Sequence, residues 1–393
     1  MKVVLMNNRY GRNAVGGAER IATQQAVSLK EEGWEVAVLA TESFHGMTSL
    51  WVHCDANDFP GTVRLFPLNI VAFENLASLT ISKRLVWHCL NIVNIHSAVA
   101  IAVWLRRVRP QHVITHNIMG IGLLTAWAIR WGAPAAGWTH VLHDVQLLHP
   151  SGLLWWGQER SWRYQGFLAR WYRTCTRWLI GSPHEIVSPS RWLLNEHQQF
   201  GFFKKSQVVI RRHSREPMAR RASIRSDPDQ ARMTDGIRLL FLGQIEQHKG
   251  IEFLLHSFPN YQSQIIPPQR DPAVAVANYQ LHVVGSGSLF EQLRADHPHH
   301  QWHGHLEGAP LEAMWQHTDA VVVPSLCYEN APTVIMEALE RGIPIVASRI
   351  GGIPELIDHG VNGWLFSPGD KGDLLQALER MIKSKYPDHS ITG

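Results

Sequence analysis

Hydrophobic and polar positions along the chain fall into two alternating textures. Short, nearly continuous apolar runs rich in β-branched residues appear first at KVVLM (2–6), WEVAVLA (34–40) and HVIT (112–115). Between the first two lies AERIATQQAVSLKEEG (18–33), in which apolar residues recur at helical spacing until Gly33 stops the pattern. Strand-like AAGWTHV, EIVS and QVVI follow, with helical patterns between them. The scheme then restarts: IRLLFLG (237–243), a helix from about Gly250, YQLHVVG (279–285), a helix from Ser288, AVVVP (320–324), a helix from Pro332, and IPIVAS (343–348). Alternation of this kind predicts an α/β protein of parallel sheets covered by helices on both faces.

A chain of 393 residues exceeds the usual span of one core. Between the two series lies RRHSREPMARRASIRSDPDQARMTDG (211–236), polar and without apolar period, which reads as a hinge. The expectation is two Rossmann-like, doubly wound domains facing each other across a cleft. Residues 1–215 form the first, 216–236 the linker and 237–393 the second. Ligands in such sheets bind beyond the carboxyl ends of the strands.

Composition changes this picture only at its edges. The content of 45% hydrophobic and 18% charged residues is that of a globular protein, and a net charge of +4 is too small to point to nucleic acid. Cys54, Cys89, Cys175 and Cys327 contain no C-x-x-C pair, which argues for a reducing, cytoplasmic setting rather than a disulfide framework. The N-terminal apolar run is too short for a signal sequence and reads as a first strand. LNIVNIHSAVAIAVWL (90–105), flanked by Lys83, Arg84, Arg106, Arg107 and Arg109, reads as a buried helix, with a face lying on a membrane as the alternative. Arg160, Arg163, Arg170, Arg173 and Arg177 interleave with Trp162, Trp171 and Trp178, a pattern that suits either anionic lipid headgroups at the inner face of the cytoplasmic membrane or a solvated helix face.

The loops after strands carry the candidate chemistry. Gly16 and Gly17 precede a helix and let backbone N–H groups approach an anion, without the spacing G-x-G-x-x-G of a dinucleotide fingerprint. Lys249 stands at a helix start after the strand IRLLFLG, and Gly285 and Gly287 make a tight turn after YQLHVVG that packing alone could require. In CYENAPTVIMEAL (327–339), Glu329 falls in the loop after a buried strand, while Thr333 and Glu337 share a helix face. Two carboxylates beside amides that invite a phosphate make sense if each accepts from hydroxyls, the pattern of a nucleotide sugar with diols at both ends of its diphosphate.

These residues carry a resemblance. Gly16-Gly17-Ala18-Glu19, His143-Asp144, SPSRWL (188–193), GQIEQHKG (243–250), VVGSGSL (283–289) and the run PSLCYENAPTVIMEALERGIPIVASRIGGIPELIDHGVNGWLFSPGD together resemble the retaining glycosyltransferases of family 4, of GT-B architecture. The resemblance implies that Glu337 binds the ribose, Glu329 the donor sugar and Lys249 the diphosphate. It places the amides around Asn330, Ala331 and Thr333 on the sugar and distal phosphate, and His143 near the reacting carbon. Gly16 and Gly17 would approach the donor phosphates or the acceptor. No metal or other cofactor is expected from the resemblance, and the substrate it implies is a nucleotide sugar such as a UDP- or GDP-sugar. Glycan or lipid-linked acceptors of surface polysaccharide assembly are the expected partners. An epimerase or a non-catalytic nucleotide-sugar binding protein are the alternatives. Three departures stand out. Gln244 replaces an arginine beside the diphosphate, the segment Gln264–Asn278 is looser than usual, and the closing helices are expected to be missing after LLQALERMIKSK. HPHHQWHGH (297–305) reads as the entry to a strand rather than a metal centre.

Overall fold

The computed structural model describes residues 1–11, 16–55, 58–211, 237–258 and 279–385. The expected linker 216–236 and the segment Gln264–Asn278 lie outside the described residues. The chain divides into two compact units, Met1–Leu154 with Gln158–His213 and Trp155–Gly157 with Ser214–Gly393.

The first unit is built on eight strands: β1 (Lys2–Met6), β2 (Glu35–Thr41), β3 (His53–Cys54), β4 (Thr62–Leu65), β5 (His112–Thr115), β6 (Gly137–Val141), β7 (Glu185–Ser188) and β8 (Gln207–Ile210). Their order is β3-β4-β2-β1-β5-β6-β7-β8, parallel throughout except for the short β3 pairing with β4. From β1 the chain winds first to one side and then, through β5, to the other. The strand order therefore reverses between β1 and β5, and their carboxyl ends frame a crevice. The stretch expected to form one buried helix is instead two, Ile81–Ile92 and Ile95–Val108. They part at Val93 and Asn94, where the Asn94 side chain caps the second helix by accepting from the Ser97 N–H at 2.9 Å. Leu85, Leu90, Ile95 and Val99 face outward, so burial is only partial.

The second unit carries β9 (Ile237–Leu242), β10 (Tyr279–Val284), β11 (Gln301–Gly304), β12 (Ala320–Val323), β13 (Ile345–Ser348) and β14 (Gly363–Phe366), in the all-parallel order β11-β10-β9-β12-β13-β14. Successive residues of a strand point to opposite faces, and the two cores follow that rule. Leu239, Phe241 and Val322 pack with the helices Ile251–Ser257 and Lys371–Lys385, whereas Leu240, Val321 and Val323 pack with the helix Thr333–Glu340. Residues on both faces need apolar partners, which is why AVVV reads as a continuous apolar run. The helix Thr333–Glu340 is held by Ile335 and Ala338, both fully buried. Burying an isoleucine contributes roughly 1.5–3 kcal/mol, and this anchor leaves Thr333 and Glu337 half-buried at the helix start and flank. The strand order reverses between β9 and β12, and the loops that follow these two strands hold Lys249 and Glu329.

Candidate active site

In the second unit the loops after β9 and β12 are locked together before any side chain is considered. The Leu326 N–H donates to the His248 carbonyl at 3.0 Å. Gly250 has φ of 74°, and a Cβ there would collide with the Pro324 carbonyl oxygen. Only glycine permits that approach. Gly351 plays the same part after β13: its φ is 60°, a Cβ would strike the Glu329 carbonyl, and the Gly352 N–H donates to that carbonyl at 2.7 Å. Three strand-end loops thus fix the backbone of Glu329.

Its side chain is fixed by charge. The Lys249 ammonium donates to Glu329 Oε1 at 2.7 Å, and the Ser325 hydroxyl donates to the same oxygen at 2.9 Å. Burial by itself pushes the Glu329 carboxyl up, but the Lys249 charge, its hydrogen bond and that of Ser325 outweigh it and hold the carboxyl below its usual range. For Lys249 burial works downward and Glu329 more than offsets it, so the ammonium is held more firmly charged than usual. Both donors land on Oε1, which leaves Oε2 to accept from a ligand hydroxyl. The ammonium likewise keeps two hydrogens beyond the one given to Glu329.

The other expected residues divide by what the fold does with them. Thr333 opens the helix Thr333–Glu340 directly after Pro332, and Asn330 and Ala331 lie half-buried in the same loop as Glu329. Glu337 sits one turn into that helix. Gln244 is exposed in the loop after β9. Gly285 and Gly287 have packing reasons of their own, because a Cβ would strike the backbone of Gly243 and of Ile245. Glu246, absent from the sequence reading, staples this turn by accepting from the Ser288 N–H at 2.7 Å and its hydroxyl at 2.8 Å.

In the first unit the strand-end crevice gathers a different set. The loops after β1 and β5 interlock: the Asn8 N–H donates to the Asn117 carbonyl at 2.9 Å, and the Asn117 N–H to Asn7 Oδ1 at 3.1 Å. His116, directly after β5, and His143, just after β6, share a hydrogen bond of 2.9 Å between Nδ1 and Nε2, their rings stacked 5.1 Å apart. A small cavity beside them is lined by His116, Asn117, His140, His143, Asp144 and Tyr172 among others. Burial pushes the Asp144 carboxyl up to about 7; the Gln146 N–H, donating at 2.7 Å, opposes this and the charge of Glu19 adds to it. Burial and then His197 push His140 down to about 3, so that ring is neutral. Gly16 is the residue before the helix Gly17–Glu31, and the Glu19 carboxylate folds back to where a Gly16 Cβ would stand. This helix start already has an anion of its own, which faces hydroxyls better than phosphates. Residues 12–15 of the same loop lie outside the described residues.

Sequence reasoning missed His116, Asn7, Asn117 and Ser325. The signal available for them is position: each follows a strand directly or nearly so, in LMNN, ITHN and VVVPS.

Residues 16–213 match the glycosyl transferase 4-like domain, and residues 236–384 match the family described as glycosyl transferases group 1. The chain belongs to this glycosyltransferase family. Its relatives agree at several distances. A glycogen synthase of Mycobacterium tuberculosis is 23% identical over 392 residues, covering 97% of this chain and 86% of that one. A lipopolysaccharide 1,6-galactosyltransferase of Salmonella typhimurium is 31% identical over 132 residues, which span 31% of this chain and 36% of that protein. In structure, Anabaena HepE in complex with UDP matches with a TM-score of 0.63 at 16% identity, over 98% of this chain and 91% of that one. The glycosyltransferase therefore has the GT-B fold, with its two parallel-sheet, Rossmann-like units.

Proposed function

We propose that this glycosyltransferase moves a sugar from a nucleoside diphosphate donor, of the UDP- or GDP-sugar kind, to a glycan or lipid-linked acceptor in surface polysaccharide assembly. Transfer proceeds with retention and without a metal ion. The observation that carries the reading is the Lys249–Glu329–Ser325 constellation at the point where the second sheet reverses its strand order. HepE was solved with UDP, and the named relatives make or extend polysaccharides, which supports the same substrate class.

Glu329 Oε2 accepts from a donor-sugar hydroxyl and Glu337 from the ribose diol. Lys249 and the first amides of the helix Thr333–Glu340 meet the diphosphate. Cleaving the anomeric bond leaves positive charge on the sugar and negative charge on the departing diphosphate. A fixed ammonium and helix dipole stabilise that charge without reorganising. Glu329, held by two donors on one oxygen, is a weak nucleophile, so the acceptor hydroxyl attacks from the leaving-group side and gives its proton to the departing phosphate oxygen. His143, hydrogen-bonded to His116 at the strand ends of the first unit, is the candidate for meeting the acceptor. Glu329→Ala is expected to lower nucleotide-sugar turnover by about 100-fold or more. Unchanged turnover in a coupled diphosphate-release assay would refute the site.

A cytoplasmic enzyme that meets lipid-linked acceptors at the inner membrane face is the accompanying reading. Trp131 and Trp178 are each 67% exposed in the first unit, Trp127 and Trp178 pack at 5.5 Å, and Arg170 and Arg177 are exposed beside them. Aromatic side chains with flanking arginines suit the headgroup region. Arg173, by contrast, turns inward to the Tyr164 carbonyl and the Phe200 ring and takes no part. Cosedimentation with phosphatidylglycerol vesicles is expected at low salt and is lost at about 0.5 M salt, where the Debye length falls to a few ångströms. Failure to cosediment at low salt would remove this reading.

A further inference from the structure

Three imidazoles converge at the amino end of β11, the edge strand of the second sheet, whereas Lys249 and Glu329 lie at the carboxyl ends of their strands. By sequence HPHHQWHGH reads as a strand entry, and β11 does begin at Gln301. The turn before it closes on itself. His297 ends the helix Phe290–Asp296, and its carbonyl accepts from the Trp302 indole N–H at 3.0 Å and from the His300 N–H at 3.4 Å. This folding back brings one ring nitrogen from each of His297, His299 and His300 within 4.8 Å of one another.

Two of the ring nitrogens lack the partner that a buried polar atom usually finds. The His299 and His300 rings stand 4.0 Å apart, and Nε2 of each is shielded from solvent with no hydrogen-bond partner among the described residues. Buried polar atoms are normally satisfied, and an orphan of this kind calls for an explanation such as an ion. A fourth imidazole is close. His256, in the last turn of the helix Ile251–Ser257, has its ring 5.6 Å from that of His297, and its Nδ1 bonds to the Glu252 carbonyl at 2.6 Å. That bond places the proton on Nδ1 and leaves Nε2 basic, the arrangement found for metal-ligating histidines.

We propose that His297, His299 and His300 bind one divalent transition-metal ion of the zinc class, with His256 placed to complete the coordination. Imidazole nitrogens favour zinc, copper and nickel, whereas magnesium, calcium and manganese favour oxygen ligands, of which this cluster has none. Zinc–nitrogen bonds of about 2.0–2.1 Å in a tetrahedral site set nitrogens about 3.4 Å apart. The present cluster, within 4.8 Å, has to close by up to about 1.4 Å to reach that spacing. Because the ion sits on the turn before β11, its work is to fasten that turn to the helix ends rather than to act on the donor.

The test uses the full chain stripped with a chelator and titrated with zinc chloride by calorimetry, and with cobalt chloride by visible absorbance. The expected result is one ion per chain with micromolar or tighter affinity, tetrahedral cobalt bands and a melting temperature that rises with zinc. His299→Ala and His300→Ala each weaken binding at least tenfold, while His305→Ala, at an exposed histidine beyond the strand, leaves it unchanged. Metal-free circular dichroism of each variant matching the parent shows that the fold is kept. The proposal is overturned if no saturable binding appears, or if the His299→Ala/His300→Ala double variant binds as the parent does, since the ion then sits elsewhere among the 23 histidines.

Discussion

Each unit encloses a carboxyl in a loop beyond the carboxyl end of a strand, Glu329 after β12 and Asp144 after β6, yet the two are held at different points of their titration. In the second unit Glu329 is an ionised carboxylate because Lys249 stands 2.7 Å away and Ser325 adds a second donor. In the first, Asp144 is as thoroughly enclosed but has the Glu19 charge for company and one backbone N–H to bind, and its carboxyl rises to about 7. Its neighbour His140 is held neutral by the same burial. A countercharge turns enclosure into a firm charged grip, and its absence lets enclosure raise the carboxyl until it is partly protonated near neutral pH. The first is the setting proposed for the diphosphate and sugar hydroxyls.

Removing the countercharge gives the largest expected effect. Lys249→Met keeps the side-chain length and strands Glu329, so nucleoside diphosphate affinity and turnover are expected to fall about 100-fold or more, read by calorimetry with UDP and GDP and by turnover. If Lys249→Met binds as the parent does, the contrast between the units has no bearing on the donor.

Next in size is the backbone that presents the pair. Gly250→Ala puts a Cβ against the Pro324 carbonyl at positive φ, and a loss of roughly 1–3 kcal/mol is expected, visible as a lower denaturation midpoint. An unchanged midpoint would mean that the loops after β9 and β12 are not interlocked as described.

A third effect lies in the first unit and appears only against pH. Asp144 binds its proton up to about 7 in the folded protein but only to about 3.8 when unfolded. Between those values the native state holds more protons, so this group makes stability fall as pH rises from about 4 to about 7. Asp144→Asn retains an acceptor for the Gln146 N–H and cannot ionise. Its melting temperature relative to the parent is expected to climb across that window and to level off above it. A difference that stays flat from pH 4 to 8 would show that Asp144 titrates normally.

Much of the fold was legible in the order of residues. AVVV, IVAS and HVIT are apolar on consecutive positions because both faces of a parallel sheet are covered, and Pro332 and Gly342 bracket a helix that runs Thr333–Glu340. Glu329, Lys249 and His143 were legible too, since each follows a strand in a recognisable run. The break at Asn94 was not, because the apolar pattern runs through it and only the cap to Ser97 ends one helix and starts another.

The sequence by itself determined the two alternating series, the strands that end in polar loops and the residue types available there, because periodicity and turn chemistry are local properties. Which of those residues meet was decided only by the tertiary structure. Lys249 and Glu329 are eighty positions apart, and His116 and His143 twenty-seven, and each pair is joined by the order of strands in a sheet. The charge states followed from the same step, since burial and a neighbouring charge act through space and leave no trace in the order of the chain.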